Sequence, residues 1–155
     1  MSTRACYTFL DTFLSETRSF HVFKHHDGYP YVQCHTGEEA GGLVWIRNAF
    51  IYAWDLPRFE ADEFAASFVA ANKTPRKNAW DGGGVRLINT KHPWKFFSDS
   101  AYWYVVDKRE NVPDLYVEVF KVDWSEGSTR FAYDTLIMEG ELHHLIEQQR
   151  KRKAA

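Results

Sequence analysis

The run LYVEVFKVDW at residues 115–124 places apolar side chains on both of its faces. One face carries Leu115, Val117 and Val119, and the other carries mainly aromatic and apolar residues. Successive side chains thus alternate between two faces, which is typical of a β-strand. Further strands and turns flank it at residues 101–107, 111–114, 125–128 and 130–138. This half of the chain is therefore predicted to form a β-meander whose middle strand is central and covered on both sides.

The rest of the chain adds strands near the N-terminus and helices in the middle and at the end. A period of two residues indicates a strand, and a period near 3.6 indicates a helix. These criteria predict strands at residues 3–9, 19–26 and 85–88, and helices at residues 36–54, 59–71 and 139–152. The predicted fold is α+β: one domain over residues 1–155, in which two central helices and a C-terminal helix pack on an antiparallel sheet.

The first predicted helix has a recognisable start. The sequence TGEE at residues 36–39 fits a capping box, in which Thr36 caps the helix and Glu39 reaches back to its backbone. Apolar residues follow at helical spacing and on the flanks, so this helix is expected to be mostly buried. Gly41 and Gly42 weaken a helix, and close packing of another backbone would explain them.

Composition excludes several classes of protein. Aromatic residues make up 17% of the chain, which suffices for a sizeable core without disulfides or a structural metal and is not typical of disorder. The chain has no apolar run near the ~20 residues of a membrane span and no signal-peptide core at its start. Cys6 and Cys34 are therefore expected as free thiols in a reducing cytosol, with Cys6 buried in a strand.

The first candidate site is rich in histidine. Four of the seven histidines lie in residues 21–35, around an Asp-Gly-Tyr-Pro sequence that predicts a turn at residues 27–30. Histidine, aspartate and cysteine are metal ligands, but the spacing matches no recognised zinc motif, so we assign no metal. The loop also leads to a predicted helix N-terminus, which could hold a phosphate or another ligand, although Glu38 and Glu39 would oppose an anion there. The alternative is that Asp27 and Tyr29 fix the turn while the histidines are partly exposed polar residues. The predicted ligand-binding residues here are Lys24, His25, His26, Asp27, Tyr29 and His35.

The second candidate site is basic. Residues 73–95 carry six lysines and arginines against one carboxylate, Asp81, with aromatic rings between them. Cations and stackable rings together can bind single-stranded nucleic acid or a nucleotide, whereas the alternative is a solvated loop anchored by its tryptophans. The triple glycine at residues 82–84 lacks the Lys-Ser/Thr of a P-loop. The predicted ligand-binding residues here are Arg76, Lys77, Trp80, Arg86, Lys91 and Trp94.

Two short motifs resemble a known family. The start MSTR at residues 1–4 and the sequence KHHDGYP at residues 24–30 resemble small uncharacterised proteins of bacteriophages and prophages, which carry Met-Ser/Gly-Thr-Arg and His-Asp-Gly-Tyr-Pro. The resemblance covers about the first 55 residues. It implies a phage-encoded accessory protein in the host bacterial cytoplasm, and it supplies no catalytic residues.

The leading hypothesis is a non-enzymatic phage or prophage accessory protein without a cofactor. It would bind a host protein, nucleic acid or nucleotide, and could counteract host defence in the manner of an anti-CRISPR protein. One alternative is a metal-assisted hydrolase or nuclease that uses His25, His26, Asp27 and His35. A second alternative is a structural or assembly component that forms a homo-oligomer. No membrane partner is expected.

Overall fold

The computed structural model describes residues 3–35, 37–53, 59–73, 84–89, 100–124 and 132–154, with side chains at all of these except 13, 35, 124, 132–134 and 152–154. The strands are β1 (Arg4–Phe13), β2 (Glu16–Lys24), β3 (Gln33–His35), β4 (Glu38–Ala40), β5 (Val85–Ile88), β6 (Ser100–Asp107), β7 (Tyr116–Trp124) and β8 (Ala132–Glu141). The helices are α1 (Gly42–Tyr52), α2 (Ala61–Asn72) and α3 (Leu142–Ala154). The protein is α+β, which confirms the predicted fold class.

Six strands form one sheet in the order β5-β2-β1-β6-β7-β8. All neighbours are antiparallel except the central pair β1–β6, which is parallel. β6 buries Tyr104 and Val106 on one face and Val105 on the other, which suits a central strand. β7 lies between β6 and β8, so it is the middle strand of the C-terminal meander, as predicted. The prediction that both of its faces are covered is wrong, because its Tyr116 and Glu118 are only half-buried.

The capping-box prediction is also wrong. Residues 38–40 are a strand that pairs antiparallel with β3, so that Cys34 lies opposite Glu39. Thr36 lies outside the described residues. α1 begins six residues later, at Gly42, because the chain first completes this β3–β4 hairpin.

The two glycines at the start of α1 allow close packing, as predicted. A Cβ atom on Gly42 would overlap the hydroxyl of Tyr104, and one on Gly41 would lie 2.5 Å from the carbonyl oxygen of Tyr31. Gly41 also has a φ of 139°, a conformation that favours glycine. The contact partner is a backbone group at Gly41 but a side chain at Gly42.

Aromatic rings join the helices to one face of the sheet. Tyr7 of β1 stacks on Tyr104 with ring centroids 4.8 Å apart, and Phe68 of α2 lies 4.5 Å from Tyr7. Phe9 meets Phe64 at 5.2 Å. The predicted stripe of α2 therefore forms the core contact.

The first helix is buried on one side only. Leu43 and Ile46 are fully buried, whereas Ile51 and Tyr52 are 57% and 61% exposed. The expectation of a mostly buried helix is therefore wrong near its C-terminus. A helix that lies on one sheet face as a single layer turns its outer side to solvent.

The second face of the sheet holds a smaller apolar cluster, with no helix among the described residues. Cys6, Phe23 and Ile88 are buried there, and Trp103 packs against them. Cys34 is exposed, and both cysteines are free thiols, so no disulfide joins Cys6 to Cys34.

The C-terminal helix closes the helical layer. Leu142, Leu145 and Ile146 face the core, as predicted. The Asp114 carboxylate accepts a hydrogen bond from the His143 N–H (2.8 Å) and thus caps the first turn of α3. Of the helices in the described ranges, none is long and apolar enough to cross a membrane.

Candidate functional site

The loop at residues 27–31, between β2 and the β3–β4 hairpin, is fixed to the sheet through its backbone. Asp27 has a φ of 57°, which Asp adopts more readily than most residues. The Gly28 N–H donates to the carbonyl of Thr3 (2.9 Å), and the Tyr104 hydroxyl donates to the carbonyl of Gly28 (2.5 Å). We call residues 27–31 the anchored loop.

The N-terminal part of α1 holds the other side of the anchored loop. The Gly42 N–H donates to the carbonyl of Tyr29 (2.8 Å), and the Trp45 indole N–H donates to the carbonyl of Asp27 (2.9 Å). Three consecutive loop residues are therefore bonded to the rest of the fold. A loop held in this way loses little conformational entropy on binding, so it is preorganised for recognition.

A cavity of about 610 Å³ lies beside the anchored loop. It is lined by Asp27, by residues 37–40 of the hairpin, and by Trp45, Arg47 and Asn48 of α1. Its volume falls in the roughly 300–1,000 Å³ range typical of small-molecule sites. Sequence reasoning found Asp27 but missed the three α1 residues, because they match no motif and lie on a helix expected to be buried.

Glu39 links the cavity wall to the C-terminal helix. Its carboxylate accepts two hydrogen bonds from Arg150 (2.7 and 2.5 Å) and one from Arg47 (2.7 Å). These hydrogen bonds lower the pKa of Glu39 to about 2 and raise the pKa of Arg150. Arg150 also pairs with Glu147. We call these four residues the Glu39 cluster. The Glu39 carboxylate is ionised at physiological pH.

Lys24 packs on one of the cavity walls. Its side chain is buried, its Nζ lies 4.2 Å from the ring centroid of Trp45, and it donates to the carbonyl of His26 (3.2 Å). Burial lowers the pKa of Lys24 to about 8, although the Asp27 carboxylate acts in the opposite direction. The cation is thus held by the indole ring and one carbonyl group.

Two tyrosines of the anchored loop form an aromatic stack. The rings of Tyr29 and Tyr31 lie 4.3 Å apart and nearly parallel. Tyr29 is buried and donates to Gln33 Oε1 (3.0 Å), whereas Tyr31 is 43% exposed. Burial and the nearby Asp27 carboxylate raise the pKa of Tyr29 to about 12. The exposed ring of Tyr31 is a flat apolar contact surface.

Two predicted ligand residues belong to the second face of the sheet instead. The His25 ring packs edge-on against Phe23 (5.8 Å) and accepts a hydrogen bond from Arg4 Nε at 3.4 Å. Arg86 is exposed on β5 and lies opposite Phe23 in the strand register. The structure therefore divides the predicted residues between two surfaces, with Asp27 on the cavity.

The remaining predicted residues are placed only in part. His26 is exposed, with its ring 4.9 Å from that of His25. The side chain of His35 lies outside the described residues, as do Arg76, Lys77, Trp80, Lys91 and Trp94. In the part of the chain that the structure describes, no three His, Cys, Asp or Glu side chains could together hold a metal ion.

No model of a known protein family matches the chain, and no curated protein or solved structure matches it either. The resemblance to phage proteins therefore stays a hypothesis.

Proposed function

We propose that the chain is a binding protein rather than an enzyme: a phage or prophage accessory protein that binds a host macromolecule or a nucleotide in the bacterial cytoplasm and counteracts host defence. The phage origin rests on the sequence motifs at residues 1–4 and 24–30. The binding role rests mainly on one observation, the preorganised loop beside a cavity of about 610 Å³.

The chemistry of the cavity supports binding. The ionised Glu39 carboxylate accepts hydrogen bonds from two arginines, Arg47 and Arg150. These three side chains fix the shape and the charge of the cavity wall. A general acid or base needs a pKa near the working pH, and a carboxylate with a pKa of about 2 does not meet this condition. The Glu39 cluster is therefore structural.

The metal-assisted alternative requires His25, His26, Asp27 and His35 to surround one ion. His25 lies against Phe23 on the second face of the sheet, whereas Asp27 lines the cavity. This separation of His25 from Asp27 favours the binding role. The assembly alternative has no specific observation in its favour.

A pair of variants of α1 tests the proposal. Asn48→Trp places a large ring in the cavity, whereas Ile51→Trp adds the same ring to an exposed position of the same helix. Each tagged protein is used to capture partners from infected or lysogenic bacteria, with mass spectrometry and small-molecule analysis. We expect the partner of the unaltered protein to be lost with Asn48→Trp and kept with Ile51→Trp. Equal capture by both variants would contradict a role for the cavity.

The basic stretch at residues 73–95 offers a second contact surface. Charge reversal at Arg76, Lys77 and Lys91 should weaken partner binding without unfolding the protein. These residues lie outside the described ranges, so the expectation rests on charge alone. If the charge-reversed protein still captures every partner of the unaltered protein, the basic surface plays no part in partner binding.

A further inference from the structure

We infer that the cavity receives a guanidinium or ammonium group presented by a basic side chain of a partner protein. The inference rests on the proposed function and deepens it, because it names the chemistry of the ligand. It is carried by the charges of the cavity wall, by one aromatic ring and by the stacked tyrosines of the anchored loop, which also supplies Asp27 to the cavity.

The cavity wall has more negative charge than its arginine can balance. Three carboxylates line it (Asp27, Glu38 and Glu39) against the single cation Arg47. Glu39 is balanced by Arg47 and Arg150. Among the described residues, neither Asp27 nor Glu38 forms an ion pair. The Asp27 carboxylate interacts with the Tyr29 hydroxyl and with the Lys24 ammonium, whereas Glu38 is exposed, so Glu38 is the more available of the two to a ligand.

The two cations near the cavity, Arg47 and Lys24, already have partners within the protein. Arg47 donates to Glu39 at 2.7 Å, and its Nε is enclosed without a hydrogen-bond partner among the described residues. Lys24 is buried, with its Nζ held by the Trp45 ring and by the carbonyl of His26. Lys24 offsets part of the charge of Asp27, and Arg47 lines the cavity with its charge paired to Glu39.

The aromatic wall suits a cation. Trp45 lines the cavity, and Lys24 Nζ lies over its ring at 4.2 Å from the centroid. The ring therefore attracts positive charge, and a ligand cation would contact a part of it that Lys24 does not occupy. A guanidinium group can stack on an aromatic ring while it donates in plane to carboxylates such as Asp27 and Glu38. A phosphate would instead face both carboxylates, and like charges brought together across an interface cost affinity. The wall therefore favours a basic group over the phosphates of a nucleotide.

The surroundings favour a protein as the carrier of that group. Tyr31 is 43% exposed and stacks on Tyr29, and its carbonyl oxygen lies against Gly41 at the start of α1. An exposed tyrosine on a preorganised loop gives contact area to the residues that flank a bound side chain, as in protein interfaces. A free amine would make no use of it.

The test titrates the full chain with a short arginine-containing peptide and with N-acetyl-arginine amide, and follows the indole N–H of Trp45 by NMR. Inorganic phosphate and AMP serve as anionic probes. Asp27→Asn and Glu38→Gln each remove one carboxylate, and Asn tolerates the φ of 57° at position 27. Glu63→Gln, on the exposed side of α2, is the control.

We expect the arginine probes to bind saturably, more weakly at high salt, and at least tenfold more weakly to either cavity variant, which corresponds to about 1.4 kcal/mol. The control should bind as the unaltered protein does. The inference is overturned if no arginine probe binds, if phosphate or AMP binds in its place, or if the cavity variants bind arginine unchanged. Failure of partner capture alongside normal arginine binding would contradict only the proposed function.

Discussion

Replacing Glu39 with glutamine tests whether the Glu39 cluster holds the cavity wall to the C-terminal helix. The substitution keeps the size of the side chain but removes its charge. Arg47 and Arg150, which donate to it at 2.5–2.7 Å, then face a neutral amide. The hairpin at residues 33–40 should lose stability against α3.

The pKa of Glu39 sets the magnitude. Its fall from the usual 4.5 to about 2 corresponds to at most about 3 kcal/mol at full value. The Glu39 side chain is 27% exposed, so solvent screens the ion pairs, and we expect a loss of about 1–2 kcal/mol in the free energy of unfolding at neutral pH. Glu38→Gln is the control: it alters an exposed neighbour on the same strand and should change stability by less than about 0.5 kcal/mol.

The pH dependence has a definite sign. Because folding lowers the pKa of Glu39, its stabilisation is fully present above the unfolded pKa near 4.5 and is lost as the pH falls toward 2. Urea unfolding of the unaltered protein and of Glu39→Gln should therefore show a gap at pH 7 that narrows below pH 4.5. A gap no larger than that of Glu38→Gln, or one that stays constant down to pH 3, would refute the reasoning.

Three further outcomes are expected. Lys24→Met should stabilise the protein by up to about 3 kcal/mol at pH 7 in chemical unfolding, because the folded protein buries the Lys24 cation and lowers its pKa to about 8. The unaltered protein should gain stability between pH 8 and 10.5 as Lys24 loses its proton, and the Lys24→Met variant should not. Gly42→Ala should lower stability by about 3 kcal/mol in thermal unfolding, since its Cβ would overlap the hydroxyl and the ring carbons of Tyr104. Adding Tyr104→Leu, which removes these atoms, should cost less than the sum of the two changes; strict additivity would contradict the overlap. Asp114→Ala should cost about 1 kcal/mol through the lost cap of α3, whereas Asp114→Asn, which keeps a capping oxygen, should cost less; equal losses would argue against capping.

Much of the fold could be predicted from local patterns. The strand predicted at residues 85–88 is β5 with the same bounds, and Phe64 and Phe68 of α2 and Leu145 of α3 face the core as their spacing indicated. These elements are long or strongly periodic, or lie between clear turn residues, so interactions between residues close in the sequence are enough to determine them.

The remainder depends on distant residues. Each strand of the β3–β4 hairpin has three residues, too few for an alternation, and residues 36–39 also satisfy the rule for a helix cap. For this reason Glu39 is predicted to lie in a helix cap, whereas it lies in β4. Its hydrogen-bond partner Arg150 is 111 positions away in the sequence. The same limit hid Trp45, Arg47 and Asn48, whose role appears only once the hairpin lies beside α1.

The long separation between Glu39 and Arg150 has a consequence for synthesis. A ribosome makes the chain from its N-terminus, so the anchored loop, the hairpin and α1 emerge well before α3. Until α3 has emerged, Glu39 lacks the two hydrogen bonds from Arg150 and the hairpin is tied to α1 through Arg47 alone within the Glu39 cluster. A nascent chain would therefore hold Glu39, one residue of the cavity wall, less firmly than the finished molecule does.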